Sequence, residues 1–274
     1  MTNHPPPDPF WTFEHTAWER SARSYHNFWT RLTSQTIELL LATVQRGDPA
    51  RLLDVATGAG NVAQAGVRKG MRVIGIDFST AMLAQARKQC PEIDFCEGDA
   101  AALPFADNSF DAIVINFGLL HFDDPERALA EAYRVLCPGG WIGFTVWATP
   151  EAAIGFQIML QAIEAHGDPN VPLPEGPSFF RFSDPAESER TLRTIGFTDP
   201  SITEVQQTWR LSSPDALFVA FYEGTARTGG LLRAQSRVAL DNIREAVIKA
   251  ICAYEKDGGV EIPMPAILTS AQKP

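Results

Sequence analysis

The stretch LLDVATGAGN, residues 52–61, combines an aspartate, Asp54, with two glycines, Gly58 and Gly60. It begins as an apolar run typical of a buried strand, and a helix-like segment follows it. Glycine lets a backbone approach a ligand closely, and the first N–H groups of the following helix attract an anionic group. The loop therefore indicates a site for a small ligand with at least one anionic group.

Two further acidic residues follow later strand-like segments. Asp77 ends VIGID, and Asp99 follows IDFCEG. The carboxyl ends of parallel strands meet at one edge of a sheet, where ligands bind. We therefore expect Asp77 to accept the two hydroxyls of a ribose. Asp99 is expected to accept a hydrogen bond from an adenine amino group, with Ala100 covering the ring and Phe78 packed on its other side.

Two ligands with an adenosine part fit this pattern. The spacing alone leaves a nicotinamide dinucleotide open, because Ala63 is a permitted variant of the third glycine in G-x-G-x-x-G. Asp54, however, is a poor neighbour for a doubly negative pyrophosphate. S-adenosylmethionine is favoured because it brings a sulfonium, an ammonium and a single carboxylate. A nicotinamide-dependent oxidoreductase and a protein that binds S-adenosylmethionine without transferring methyl are the alternatives.

Methyl transfer from a sulfonium requires alignment and exclusion of water, and it requires a base only when the acceptor must lose a proton. His121 follows the apolar run FDAIVINFGLL and is the first candidate for that base. Tyr25 and His26 are alternatives if the aromatic N-terminal segment covers the ligand. The structural alternatives are a loop anchor for His121 and core packing for the aromatic segment. No metal is expected, since no residues have ligand spacing.

Residues 51–148 alternate strand-like and helix-like stretches with short connections, which predicts a parallel sheet with helices on both faces. The predicted strands are RLLDVATG, MRVIGIDFS, IDFCEGDA, FDAIVINFGLL and WIGFTVWA. Ser79 is expected to cap one helix, and Asp124 with Pro125 to begin the next, which CPGG ends. Later in the chain SITEVQQTWRL and VEIPMPAILTS are each predicted as one strand.

The flanking segments differ from this core. Trp11, Trp18, Tyr25 and Trp29 recur at steps of seven, seven and four, which places them along one side of a helix. We expect a helical cap formed by residues 1–45, 151–182 and 211–258. An apolar cavity for a small hydrophobic or aromatic metabolite is predicted from aromatic residues of the flanks: Trp11, Phe13, Trp18, Phe179, Phe180, Phe182, Phe218, Phe221 and Tyr222.

Composition limits the partners. The 274 residues, 45% of them hydrophobic, can form one domain with a cap, and the formal net charge of −10 disfavours nucleic acid and anionic membranes. No apolar run is long enough to span a membrane, and the N-terminus lacks the pattern of a secretion signal. We therefore expect a cytoplasmic monomer or homodimer that acts on a small molecule.

Three runs carry a resemblance to a known family: LLDVATGAGN, VIGIDFSTAMLAQAR and GDAAALPFADNSFDAIVINFGLLHFDDPERALAEAYRVLCPGG. They resemble the class I S-adenosylmethionine-dependent methyltransferases, in particular the branch that includes ubiquinone and menaquinone biosynthesis methyltransferases. The resemblance implies an α/β, Rossmann-like fold with a seven-stranded, mostly parallel sheet. Its last strand, here VEIPMPAILTS, is implied to be antiparallel. Residues 150–258 match no substrate-defining motif.

The resemblance also implies roles for residues of the glycine loop and of the strand ends. The segment from Asp54 to Gly60, with Ala56, Thr57 and Gly58, is implied to hold the methionine part. Asp77 is implied to hold the ribose, and Asp99 with Ala100 the adenine. Asn116 and Phe117 are implied to form the rim beside the sulfonium. Met82 is a further candidate for contact with the cofactor.

Overall fold

The computed structural model describes residues 8–45 and 50–274. The predicted N-terminal part of the cap, residues 1–45, thus includes residues 1–7, which lie outside the described residues. The α-helices in the described ranges are α1 Pro9–Phe28, α2 Thr30–Thr33, α3 Ile37–Val44, α4 Asn61–Arg68, α5 Thr80–Gln89, α6 Pro125–Val135, α7 Ile154–His166, α8 Pro185–Ile195, α9 Asp215–Gly224, α10 Arg227–Arg233 and α11 Arg237–Ile251. The strands are β1 Arg51–Val55, β2 Arg72–Asp77, β3 Asp94–Glu97, β4 Phe110–Asn116, β5 Leu136–Trp147, β6 Thr198–Val205, β7 Thr208–Leu211, β8 Glu255–Lys256, β9 Gly259–Pro263 and β10 Ala266–Gln272.

Seven strands form the main sheet, in the order β3-β2-β1-β4-β5-β10-β6. The pairs from β3 to β5 are parallel, whereas β10 runs antiparallel to both β5 and β6. The predicted α/β fold with a seven-stranded, mostly parallel sheet and an antiparallel last strand is thus confirmed. The strand order reverses between β1 and β4, and a ligand site is expected at that point.

Side chains of the central strands alternate between two cores, one on each face of the sheet. Leu52 packs with α3 and α4, whereas its neighbour Leu53 packs with residues of α6 and α7 on the other face. Ala112 and Ile113 of β4 divide in the same way. Successive side chains of a strand point to opposite faces, so a continuous apolar run predicts a sheet covered on both sides.

Two predicted strands are each divided in two, which corrects the sequence interpretation. SITEVQQTWRL contributes β6 to the main sheet and β7 to a second sheet, in which the order is β7-β9-β8. VEIPMPAILTS is divided in the same way into β9 and β10. The divisions lie opposite each other, because the Met264 N–H donates to the Gln207 carbonyl at 2.9 Å and Gln207 Nε2 donates to the Met264 carbonyl at 3.2 Å. Pro265 follows, and it has no N–H to continue a ladder.

The predicted helix starts are present. Ser79 Oγ accepts from the Met82 N–H at 3.2 Å, and Asp124 Oδ1 accepts from the Arg127 N–H at 2.9 Å. The CPGG segment differs from expectation, because β5 already begins at Leu136, directly after α6. Within the described residues, no helix is both long enough and apolar enough to cross a bilayer.

The aromatic N-terminal segment forms α1, which begins after the cap Asp8. It lies across the carboxyl end of the sheet. Glu19 fixes it to α5 by accepting from Thr80 Oγ1 and from the Ala81 N–H, each at 3.1 Å. At its other end Trp29 Nε1 donates to the Ala220 carbonyl of α9 at 3.0 Å. This placement brings one side of α1 over the edge where the ligand site is expected.

Candidate active site

The glycine loop connects β1 to α4 through left-handed backbone. Ala56, Gly58 and Gly60 have φ values of 54°, 55° and 83°. A Cβ added at Gly58 would meet nothing within 4 Å, since this residue faces open space. Non-glycine residues rarely take such a φ, and they concentrate at ligand sites when they do. The loop therefore exposes its backbone toward the sheet edge, as the sequence predicted.

Asp54 lies beneath this loop rather than in the ligand cavity described below. It is completely buried, and its Oδ2 accepts from Thr57 Oγ1 at 2.6 Å and from the Ala63 N–H at 3.0 Å. Its Oδ1 is buried without a partner among the described residues. Burial raises the pKa of Asp54 to about 7, opposed by the two hydrogen bonds and assisted by nearby Asp77. The contacts of Asp54 brace the loop.

Asp77 lies at the end of β2 and lines the ligand cavity. Its Oδ2 accepts from the Gly58 N–H at 2.8 Å, and its Oδ1 accepts from the Ser79 N–H at 2.9 Å. Burial raises the pKa of Asp77 to about 6, although both of these hydrogen bonds oppose the shift. Each carboxylate oxygen has a second lone pair. Asp77 can thus order the loop and accept hydroxyls from a ligand at once.

Asp99 follows β3 and connects the sheet edge to α1. Its Oδ1 accepts from the Ala101 N–H at 2.8 Å, and its Oδ2 accepts from Trp11 Nε1 at 3.1 Å. The Trp11 ring stacks on His15 with centroids 4.9 Å apart and meets Phe78 edge-on at 5.8 Å. Asp99 is expected to accept a hydrogen bond from an adenine amino group. In this structure its Oδ2 already accepts one from the indole N–H of Trp11.

The end of β4 supplies the rim predicted at Asn116 and Phe117. Phe117 has a φ of 55° and stacks on Trp147, with centroids 4.2 Å apart. Asn116 Oδ1 accepts from Thr36 Oγ1 at 2.9 Å and from Thr145 Oγ1 at 2.7 Å, so its orientation is fixed. A strained backbone held by packing on both sides is a typical setting for a functional residue.

These elements enclose a first cavity with about 750 Å³ of empty space. Most of the predicted cofactor residues line it, whereas Asp54, Thr57 and Gly60 do not. The predicted residues in its wall are Tyr25, Ala56, Gly58, Asp77, Phe78, Met82, Asp99, Ala100, Asn116, Phe117 and His121. Asp123, next to the predicted helix cap Asp124, lines it too. Among the described residues this wall includes no lysine or arginine, so a cationic nucleoside fits its chemistry and a pyrophosphate does not.

A second cavity, with about 380 Å³ of empty space, adjoins the first. Both cavities are lined by Trp18, Tyr25, Phe117 and His121. The remaining residues of its wall are Trp29, Trp147, Phe156, Phe179, Thr225, Arg227 and Thr228. An apolar, aromatic wall with a few polar groups is typical of a small-molecule site.

His121 is held at the boundary of the two cavities by a buried ion network that the sequence did not reveal. Its Nδ1 lies 3.0 Å from Oε2 of Glu14, which also accepts from Trp18 Nε1 at 3.0 Å. The other oxygen, Oε1, accepts from Arg227 Nε at 3.0 Å. Glu14 is completely buried, and burial lowers the pKa of Arg227, opposed by Glu14. The one sequence signal is position: Glu14 lies three residues after Trp11 and four before Trp18, on the aromatic side of α1.

The two other candidate bases differ in placement. Tyr25 lines both cavities, and burial raises its pKa to about 12, opposed by a hydrogen bond with Thr33. A tyrosine with that pKa keeps its proton at neutral pH, so it can donate a hydrogen bond but is a poor base. His26 is exposed and lines neither cavity. The structure therefore does not bring His26 to the site.

The aromatic residues predicted to line a substrate cavity are only partly brought together. Trp11 lines the first cavity, Phe179 the second and Trp18 both. The others lie outside both walls and pack elsewhere: Phe13, Phe180, Phe182, Phe218, Phe221 and Tyr222. The second cavity is instead completed by aromatics that the sequence placed in strands and helices, namely Trp147 and Phe156.

Comparison with known proteins agrees with this geometry. Residues 53–144 match the family described as methyltransferase domain. A demethylmenaquinone methyltransferase of Renibacterium salmoninarum is 51% identical over 90 residues, which cover 33% of this chain and 38% of the relative. A ubiquinone/menaquinone biosynthesis C-methyltransferase of Methylobacterium nodulans is 48% identical over 103 residues, 35% of this chain and 41% of the relative. The match thus spans well under two thirds of these curated relatives.

Solved structures show the same fold across nearly the whole chain. Phosphoethanolamine N-methyltransferase 2 of Haemonchus contortus, in complex with S-adenosyl-L-methionine, superposes with a TM-score of 0.57 at 20% identity, covering 98% of this chain and 61% of that one. The [4+2]-cyclase SpnF superposes with a TM-score of 0.53 at 23% identity, covering 97% of both chains. The resemblance that the three motifs carry is confirmed: residues 53–144 match the methyltransferase domain, and the chain is similar there to demethylmenaquinone and ubiquinone/menaquinone biosynthesis methyltransferases.

Proposed function

We propose that the protein transfers a methyl group from S-adenosylmethionine to a small, apolar, aromatic acceptor. The observation that carries the proposal is the junction of two unlike cavities. One bears carboxylates and lies over the glycine loop, the other is aromatic, and Phe117 and His121 belong to both walls. A donor in the first cavity and an acceptor in the second would meet at this junction.

The residues of the first cavity suit the proposed cofactor. In this proposal Asp77 accepts the ribose hydroxyls, and Asp99 accepts from the adenine once Trp11 shares or releases the Asp99 Oδ2 oxygen. The loop backbone from Ala56 to Gly58 contacts the methionine part. When bound, S-adenosylmethionine supplies an activated methyl group, and the protein contributes alignment and the exclusion of water.

The second cavity suits a flat ring. Trp29 and Trp147, together with Phe156 and Phe179, offer ring faces and edges at which an aromatic acceptor gains more than its buried area alone provides. The names of the curated relatives make quinols, the reduced and nucleophilic form of quinone rings, the first acceptors to test. Because the matched part is confined to the methyltransferase domain, the choice among oxygen, nitrogen and carbon acceptors rests with experiment.

Binding and turnover test the proposal separately. Isothermal titration calorimetry and thermal shift with S-adenosylmethionine, S-adenosylhomocysteine, NAD and NADP identify the cofactor, since a ligand of the folded state raises the melting temperature. Release of S-adenosylhomocysteine is then followed across single-ring phenols, quinols, amines and polar metabolites. Stabilisation by a nicotinamide cofactor alone would contradict the proposed cofactor. Tight binding of S-adenosylmethionine without turnover of any acceptor would instead indicate a protein that only binds it.

A further inference from the structure

The network around His121 joins three segments that are far apart in the chain. Glu14 belongs to α1, His121 to the loop after β4, and Arg227 begins α10. Separations of 107 and 213 residues lie between Glu14 and its partners His121 and Arg227. A buried ion network built from such distant segments leaves His121 at the cavity boundary in one defined orientation.

We propose that Glu14 is a positioning residue, which holds neutral His121 with its proton on Nδ1 so that the bare Nε2 accepts the proton of the methyl acceptor. This inference rests on the function proposed above. In this inference His121 is the general base, and α1, which carries Glu14, sets the orientation of the His121 ring.

The tautomer follows from the partners of Glu14. A carboxylate only accepts hydrogen bonds, so the short contact between Oε2 and His121 Nδ1 requires the proton to lie on the histidine nitrogen. Trp18 and Arg227 also donate to Glu14, and neither supplies an acceptor to His121. Among the described residues, His121 Nε2 has no hydrogen-bond partner. The lone pair of the neutral ring is therefore on Nε2.

Packing against aromatic rings also restricts the orientation of the His121 ring. The ring of Trp18 meets His121 edge-on with centroids 4.8 Å apart, and Phe179 lies against it at 5.7 Å. Arg227 Nη2 donates to the carbonyl of Leu120, the preceding residue, at 2.9 Å. The guanidinium thus balances the charge of Glu14 and also anchors the backbone that carries His121.

The step balances without a further reagent. The O–H or N–H proton of the acceptor passes to His121 Nε2. The electron pair released on the acceptor atom forms the bond to the methyl carbon, while the pair of the breaking carbon–sulfur bond stays on sulfur. Glu14 stabilises the imidazolium that results, and His121 returns its proton to water before the next cycle.

Nitrogen-15 nuclear magnetic resonance of the free protein tests the tautomer. The His121 signals are assigned by their absence in His121→Gln, and the spectra are taken where the ring is neutral. We expect the proton on Nδ1 in the wild type. In Glu14→Gln the guanidinium of Arg227 holds the amide oxygen, and the amide NH₂ faces Nδ1 and the Trp18 N–H, which loses its acceptor; the His121 proton therefore moves to Nε2. A proton on Nε2 in the wild type, or on Nδ1 in both proteins, would overturn the role of Glu14.

Glu19→Gln is the matched control. It makes the same change on the same helix, and Glu19 also anchors α1, but its partners are Thr80 and Ala81 rather than His121. The tautomer of His121 should be unchanged in this variant. Because Glu14 is buried beside Arg227, Glu14→Gln is expected to lower the melting temperature. His121→Gln leaves that ion pair intact and provides the second variant.

Methyl transfer to two phenols of similar size separates a base from a merely structural residue. In mildly alkaline buffer 4-nitrophenol is largely ionised, whereas 4-methylphenol keeps its proton. A general base contributes about 10²–10⁴-fold, and we expect His121→Gln and Glu14→Gln to lose that factor with 4-methylphenol only. Equal losses with both phenols, at unchanged cofactor affinity, would contradict the proposed base.

The same measurements distinguish failure of the inference from failure of the proposed function. If calorimetry shows no binding of S-adenosylmethionine to the wild type, the proposed function is wrong. If the wild type binds the cofactor but methylates neither phenol, simple phenols are excluded as acceptors, and the tautomer result decides the role of Glu14. If the wild type methylates both and the variants show no selective loss, only the inference fails.

Discussion

The two cavities are built in different ways, although they share a wall. The first takes most of its wall from the carboxyl ends of the parallel strands β1 to β4 and the loops that follow them, with Asp77 and Asp99 each bonded to N–H groups of adjoining loops. The second is formed by large side chains from α1, β5, α7 and α10. A loop geometry fixed by local turns can be reused for one cofactor, whereas a wall of separate side chains can change with each acceptor.

Replacement of Gly58 is expected to break the first cavity most completely. Valine does not tolerate the φ of 55°, and its side chain would enter open space beside the first cavity, which Gly58 lines, so Gly58→Val should lose measurable affinity for S-adenosylmethionine. Gly70→Val is the control, because Gly70 has a φ of 82° with open space around it and lines neither cavity. Calorimetry should show binding in the control and none in Gly58→Val.

Asp77→Asn should weaken cofactor binding by about 1.5–3 kcal/mol, the usual contribution of a hydrogen bond to a charged group. The wild type should also lose affinity as the pH falls through about 6, because protonation of Asp77 removes an acceptor lone pair and the charge. Calorimetry from mildly acidic to mildly alkaline pH checks both effects. Asp184→Asn, at the remote cap of α8, serves as control. Equal pH dependence in Asp77→Asn and wild type would remove Asp77 from this role.

A reciprocal pair of substitutions tests whether the two cavities have separate ligands. Phe179 lines only the second cavity and Phe78 only the first. Phe179→Leu loses ring contacts, each worth about 0.5–1.5 kcal/mol, and should raise the acceptor KM severalfold at unchanged cofactor affinity. Phe78→Leu should weaken cofactor binding by a similar factor at unchanged acceptor KM. Effects on both ligands from either variant would show that the assignment of the cavities is wrong.

Asp54→Asn is expected to have the smallest effect on activity and a clear effect on stability. The pKa of Asp54 is raised to about 7, so the folded state holds a proton more tightly than the unfolded chain. The contribution of Asp54 to the free energy of unfolding therefore falls as the pH rises from about 4 to about 7. Asparagine removes that penalty, so the variant should gain on the order of 4 kcal/mol relative to wild type between acidic and mildly alkaline pH, because each unit of the pKa shift corresponds to about 1.36 kcal/mol. Urea unfolding at both pH values measures the difference.

The sequence predicted most where local rules determine structure. The alternation of apolar strands with capped helices predicted β1 to β4 in their succession along the chain and their parallel direction, and the caps at Ser79 and Asp124 lie where side-chain chemistry placed them. Acids at the strand ends were sufficient to locate the first cavity. Asp54 shows the limit of that reasoning, since a strand-end acid can equally turn inward and brace its own loop.

Long-range pairing could not be predicted from local pattern. SITEVQQTWRL and VEIPMPAILTS are continuous in β propensity, and only their mutual contact at Gln207 and Met264 divides each between two sheets. Glu14 and Arg227 meet across 213 residues, and neither position is marked by a motif. Shape complementarity between distant segments determines such contacts, and a single sequence does not encode it in its periodicity.

The position of β10 constrains the order in which the protein can assemble on the ribosome. This strand separates β5 from β6 in the sheet, yet it follows both of them along the chain. Until residues 266–272 have left the exit tunnel, β6 has no partner in the main sheet and one side of β5 has no neighbour. Such unpaired edges favour association with other chains. Nascent chains stalled before this strand should therefore depend on chaperones more than chains stalled after it.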